Sequence, residues 1–125
     1  MKLLKILPLL IPMGLFLTVL SGCDPKPVEP IIITGAQARE IYANSDKAVL
    51  LDVRTQEEFD NKSIPGSILI PYDELESRLK ELPDKTAEII IYCRAGRRSA
   101  ISAELLANKG YKKVYDMQVV EYWFE

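Results

Sequence analysis

From Ile31 onward, short apolar runs alternate with amphipathic segments. Residues 31–33 form a short strand, and Thr34 with Gln37 makes the capping box that opens a helix through about residue 43. Residues 48–53 (Ala-Val-Leu-Leu-Asp-Val) are apolar on both faces, the pattern of a buried parallel strand. A second capping box, Thr55 with Glu58, predicts a short turn of helix around Phe59. After the Pro65-Gly66 turn, residues 67–70 read as the next strand, and Asp73 with Glu76 predicts a helix whose Leu75, Leu79 and Leu82 share one face. Residues 88–92 read as another buried strand. Residues 99–108 read as a helix with Ile101, Leu105 and Leu106 inward, stopped by Gly110, and Val114 and Tyr115 as the last strand. Strands alternating with helices at this spacing predict an α/β sandwich with a mainly parallel sheet.

The start of the chain follows a different pattern. Lys2 and Lys5 precede an almost unbroken apolar run from Ile6 to Leu20, which ends in Leu20-Ser21-Gly22-Cys23, and no acidic residue occurs before Asp24. A basic start, an apolar middle and small residues before a possible cut are the parts of a secretory signal. The tetrapeptide ending in Cys resembles the lipobox of bacterial lipoproteins, which implies acylation of Cys23 as the mature N-terminus. Residues 1–22 are thus expected to be a signal peptide. An uncleaved signal anchor is the other reading, disfavoured because Pro8 and Pro12 interrupt a run already short for a span. Residues 24–30, Asp-Pro-Lys-Pro-Val-Glu-Pro, can hardly form helix or central strand, and an extended spacer of that length would hold a domain roughly 20 Å from a lipid surface. Residues 31–125 then form one domain facing outside the cytoplasm. Asp24 after the Cys resembles an inner-membrane retention signal, which places that domain on the periplasmic side.

Composition narrows the chemistry. The chain has no histidine, so imidazole bases, Ser-His-Asp triads and His-ligated metal sites are excluded. Its two cysteines, Cys23 and Cys93, are too few for a disulfide framework or a four-thiolate zinc site; no metal and no cofactor is called for. With Cys23 blocked by lipid, Cys93 is expected to be free. Net charge is −2 with Lys2 and Lys5 included and more acidic without them, which gives no reason to expect nucleic acid.

The candidate site is Cys93-Arg94-Ala95-Gly96-Arg97-Arg98-Ser99, between a predicted strand and a predicted helix. In an open parallel sheet, chemistry sits beyond the carboxyl ends of strands. A loop wrapping into a helix start aims several N–H groups at one point, and the helix adds roughly half a positive charge there. This describes a nucleophilic thiolate in an anion-binding cradle. Three arginines at a helix N-terminus are electrostatically unfavourable unless something anionic binds. A lone Cys after an apolar strand is otherwise a small buried hydrophobe. Asp52, Arg54 and Glu58 are expected to serve as supporting ion-pair and hydrogen-bond partners, and Tyr115, Tyr122, Trp123 and Phe124 to serve in core and C-terminal packing.

Leu51-Asp52-Val53-Arg54, Glu58-Phe59, Ile64-Pro65-Gly66-Ser67 and Ile91-Tyr92 running into the Cys93 loop resemble, in order and spacing, the single-domain rhodanese sulfurtransferases. The resemblance runs from about Ile31 to the end. It implies a five-stranded, mainly parallel central sheet with helices on both faces. It further implies a Cys93 that carries sulfane sulfur as a persulfide and a substrate-binding loop of Arg94, Ala95, Gly96, Arg97, Arg98 and Ser99. Two departures stand out. Ser63 replaces a His common before Ile-Pro-Gly, and Asp116-Met117-Gln118-Val119-Val120 replaces a segment that usually holds a Gly-Gly pair near the active loop, which exposes acceptor specificity to change.

Three functions compete. Sulfur transfer through Cys93 from a small anionic donor to a thiol or other thiophilic acceptor needs no general base. A cradle-type phosphatase needs a loop one residue longer, with Arg six positions after Cys, where this chain has Ser99. A non-catalytic membrane-tethered binding module often lacks the Cys retained here. The expectation is a thiosulfate sulfurtransferase, since a dianion suits a loop with three arginines better than mercaptopyruvate does.

Overall fold

A computed structural model describes Gly22 and residues 26–125; residues 1–21 of the expected signal peptide, Cys23 and the start of the expected spacer lie outside the described residues. Five strands form one sheet: β1 (Ile31–Ile32), β2 (Val49–Asp52), β3 (Ile68–Leu69), β4 (Glu88–Cys93) and β5 (Lys113–Val119). Their order is β1-β5-β4-β2-β3 and every pairing is parallel. The α-helices are α1 (Gly35–Asn44), α2 (Gln56–Asn61) and α3 (Arg97–Asn108), and 3-10 turns cover Glu76–Glu81 and Val120–Phe124.

Side chains of β4 alternate between two cores. Ile89, Ile91 and Cys93 face Leu51, Leu75, Leu82, Ala103 and Leu106, while Ile90 and Tyr92 face Ala38, Leu50, Ile64 and Met117. Burial on both faces makes β2 and β4 continuous apolar runs. The period-2 geometry of β4 thus puts the Cys93 side chain on the α3 side.

Both capping boxes form as expected: Thr34 with Gln37 opens α1, and Thr55 with Glu58 opens α2. Gly110 closes α3, with the Tyr111 N–H donating to Leu106 O and the Gly110 N–H to Ala107 O, which satisfies the last carbonyls.

Several expectations are corrected. Asp73 caps nothing. The element after it begins at Glu76 without a side-chain cap and is 3-10, broken at Arg78 (φ −118°, ψ 20°). That break resets the phase, so that Leu75 and Leu82 are both buried and Leu79 packs beside them. Helix α3 starts at Arg97, two residues early, and Ile101 is 42% exposed, because the inward stripe is Ser99, Ser102, Ala103, Leu106 and Ala107. The last strand extends to Val119 through an irregularity opposite Ile91 and Tyr92. Of the terminal aromatics, Tyr115 and Trp123 pack on the core, whereas Tyr122 and Phe124 remain exposed. In the segment before β1, Pro27, Val28 and Pro30 line a crevice with Ala100, Ala103 and Ala107 of α3.

The C-terminal 3-10 turn is held close to α1. Arg39 Nη1 donates to the Trp123 carbonyl at 2.5 Å, and a Cβ on Gly35 would come within 1.7 Å of the Tyr122 carbonyl oxygen. Only glycine permits that approach.

Candidate active site

The sheet order places the site. After β2 the chain moves outward to β3, and after β4 it moves the other way to β5, so the carboxyl ends of neighbouring β2 and β4 flank the topological switch point. Asp52 ends β2 and Cys93 ends β4.

Cys93 is 1% exposed, with the exposed Arg94 and Ala95 following it. Gly96 turns the loop into α3 in the left-handed region (φ 96°, ψ −17°), and its N–H donates to Cys93 Sγ at 3.0 Å. The first N–H groups of α3, on Arg97, Arg98 and Ser99, have no carbonyl one turn back within the helix. The Gly96 N–H thus meets the sulfur at the start of α3, where the free N–H groups and the helix dipole add positive potential. Such an arrangement can hold a nucleophilic sulfur below a bound anion.

The three arginines divide. Arg94 and Arg97 are exposed, whereas Arg98 donates from Nη1 and Nη2 to the two oxygens of Glu58 at 2.7 and 3.0 Å. Those hydrogen bonds hold the Glu58 carboxyl down to about 2. Arg98 thus ties the first turn of α3 to α2, and its charge is answered within the chain. Ser99 is buried and its hydroxyl donates to Gly96 O at 3.0 Å, bracing the loop from below.

Asp52 and Arg54 form a second fork beneath the site. Arg54 Nε and Nη2 donate to Asp52 Oδ1 and Oδ2 at 3.0 and 2.7 Å, and Nη2 also donates to Lys62 O at 2.6 Å. Both are buried, so this pair fixes the chain after β2. The Ile64-Pro65-Gly66-Ser67 turn is fastened to β4 through Tyr92, whose hydroxyl donates to Ser67 Oγ at 2.9 Å and accepts from the Ile64 N–H at 3.3 Å. Burial pushes the Tyr92 phenol up to about 12, so it stays a neutral donor.

Asp116 and Gln118 belong to the segment expected near the active loop, and Gln118 does lie beside Gly96, but the residue patterns give neither an individual role. Gln118 lies at φ 70°, and the Asp116 carboxylate accepts from its N–H at 2.9 Å. Its Cβ would lie 3.6 Å from a Cβ on Gly96. An Asp two residues before the turning position is the signal of an Asx-turn and was available in the sequence. Burial raises the Asp116 carboxyl above its usual range, opposed by its contacts with Ser99 and the Gln118 N–H.

Comparison with known proteins agrees with this layout. Residues 36–118 match the rhodanese-like domain family. Over 75 residues the chain is 41% identical to a putative sulfur carrier protein, YrkF, of Bacillus subtilis, covering 59% of this chain and 40% of that one. Over 65 residues it is 37% identical to the thiosulfate sulfurtransferase PspE of Escherichia coli, covering 51% and 62%. The matches thus span less than two thirds of either relative. A solved rhodanese-like domain protein of Staphylococcus aureus is 30% identical with a TM-score of 0.66, covering 74% of this chain and 90% of its own. An E. coli rhodanese solved with anions is 32% identical with a TM-score of 0.57, covering 59% and 88%. With the all-parallel sheet, the Cys93 loop at its switch point and a family match over most of the described domain, this chain belongs to the rhodanese-like domain family.

Proposed function

We propose that this protein is a sulfurtransferase that moves sulfane sulfur from thiosulfate to a thiophilic acceptor through a persulfide on Cys93. The observation that carries the reading is Cys93 at the end of β4, under the Gly96 N–H and the first turn of α3. Cys93, as thiolate, attacks the outer sulfur of thiosulfate; the S–S bond of the donor breaks and its electron pair leaves with sulfite. An acceptor thiolate then attacks the terminal sulfur of the persulfide, and the electron pair of that bond returns to Sγ. Neither step needs a general base, which accommodates a chain without histidine. Exposed Arg94 and Arg97 and the helix N–H groups suit a dianionic donor better than mercaptopyruvate.

The test is steady-state thiocyanate formation from thiosulfate and cyanide by the detergent-solubilised full chain. Cys93→Ser should fall to the uncatalysed rate, and thiosulfate should add one sulfur atom to the wild-type protein by intact mass, with mercaptopyruvate doing so poorly. Equal rates for the two proteins would overturn the enzymatic reading. We further propose that Cys23 is acylated and anchors the domain on the periplasmic side of the inner membrane. The support is the Leu20-Ser21-Gly22-Cys23-Asp24 sequence.

A further inference from the structure

A cleft of about 260 Å³ opens at the switch point beside the Cys93 loop, with Arg54, Glu58, Lys62, Arg94 and Glu121 in its lining. Most of these charges are already spent. Arg54 is forked onto Asp52 and Glu58 onto Arg98. Among the described residues no carboxylate lies within ion-pair distance of Arg94. On the far wall, Lys62 Nζ meets Glu121 Oε2 at 2.8 Å and sits 4.3 Å from the centre of the Phe124 ring, joining the segment after α2 to the C-terminal turn. Both members of this pair are about half exposed, at 49% and 58% of side-chain area. A pair so exposed contributes little to stability. Removing either member changes the charge of the cleft by one unit while leaving the folding core untouched.

On the sulfur-transfer reading above, Arg94 links this cleft to Cys93, which it directly follows, so a thiol reaching a Cys93 persulfide past Arg94 meets the field of the cleft's charges. We infer that Lys62 and Glu121 are specificity-determining residues that set the charge preference for the outgoing acceptor. With that pair closed on itself, the net charge left in the cleft is the single cation of Arg94. The acceptor class it fits is a small thiol carrying one carboxylate or sulfonate. Its thiolate attacks the terminal sulfur, the Cys93 S–S bond breaks with its electron pair on Sγ, and the product is the acceptor's persulfide.

The experiment loads the solubilised full chain with thiosulfate, verifies complete loading by intact mass, and times loss of the added sulfur to three thiols of similar size. These are mercaptoacetate (anionic), 2-mercaptoethanol (neutral) and cysteamine (cationic), with rates expressed per thiolate. Wild type should discharge faster to mercaptoacetate than to cysteamine. Lys62→Gln should lower that ratio roughly threefold or more, Glu121→Gln should raise it by a similar factor, and ~1 M salt should flatten all three. The Lys62→Glu/Glu121→Lys double variant, which restores a pair, should return the ratio toward wild type. Unchanged ratios in both single variants, or shifts in the same direction, overturn the inference while leaving sulfur transfer intact. Wild-type protein that takes up no sulfur overturns the transfer reading itself and this inference with it.

Discussion

The charged residues around Cys93 have distinct tasks according to what each one touches. Arg94 and Arg97 face solvent, whereas Arg98 is held by Glu58. Arg94→Ala should therefore act on donor affinity, raising the thiosulfate concentration that half-loads Cys93 and weakening the dependence of loading on salt. Arg98→Ala should act on loop order, slowing loading at saturating thiosulfate and lowering the urea midpoint, because it frees the first turn of α3 from α2. A titration of loading rate against thiosulfate separates the two. The Glu58 carboxyl sits at about 2 against an ordinary 4.5, held there by Arg98. A depressed carboxyl contributes stability that is full above its unfolded value and is lost as pH falls through the folded one. Glu58→Gln should thus lower the urea midpoint most near neutral pH, with the gap from wild type closing between about 4.5 and about 2.

At the scale of elements, the residue that sets the site is Gly96. Its φ of 96° is one that L side chains avoid, whereas the space beside it is open, with Gln118 Cβ no closer than 3.6 Å. Gly96→Ala should therefore cost about 1–2 kcal/mol through the backbone and not through a clash. It should also slow persulfide formation by displacing the N–H that meets Sγ; chemical denaturation and timed loading by mass measure the two effects. What the sequence reveals about these elements follows the range of the interactions involved. The boxes at Thr34 and Thr55 are contacts three residues apart, written entirely in local order, and they form as read. The apolar runs of β2 and β4 are equally legible, since burial on both faces leaves no alternative phase. Ile101 misleads because the face of α3 is chosen by how closely it must approach β4 and β5, which favours Ser102 and Ala103 over a larger side chain. Asp73 misleads because the burial of Leu75 and Leu82 is met by a broken 3-10 segment and not by one capped helix. The Glu58–Arg98 pair spans 40 residues of sequence, and the Lys62–Glu121 pair 59. Only the sheet order brings such partners together, so Glu58 reads as a supporting residue without Arg98 being named as its partner, and Lys62 and Glu121 receive no role from the sequence.

Across the whole molecule, the parallel sheet sets where the chain enters the domain relative to Cys93. The chain enters β1 at the amino edge of the sheet, while Cys93 closes β4 at the carboxyl edge. A lipid on Cys23 would hold the protein by the entering end. Pro27, Val28 and Pro30 line a crevice with α3, and the Pro-rich segment would span roughly 20 Å if extended. With the proposed acylation, such a tether would hold the domain near the headgroups. No helix among the described residues is long and apolar enough to cross a membrane, so the proposed attachment rests on Cys23 and the segment before it. A multiply acylated Cys holds through many buried CH₂ groups at about 0.8 kcal/mol each, far beyond the marginal grip of one chain. Wild-type protein should accordingly stay with membranes through high-salt and carbonate washes and leave only with detergent, while Cys23→Ala should lose the lipid mass. Wild-type protein that carries no lipid mass and retains residues 1–22 would refute acylation in favour of a signal anchor, since an apolar segment retained at the amino end then does the holding.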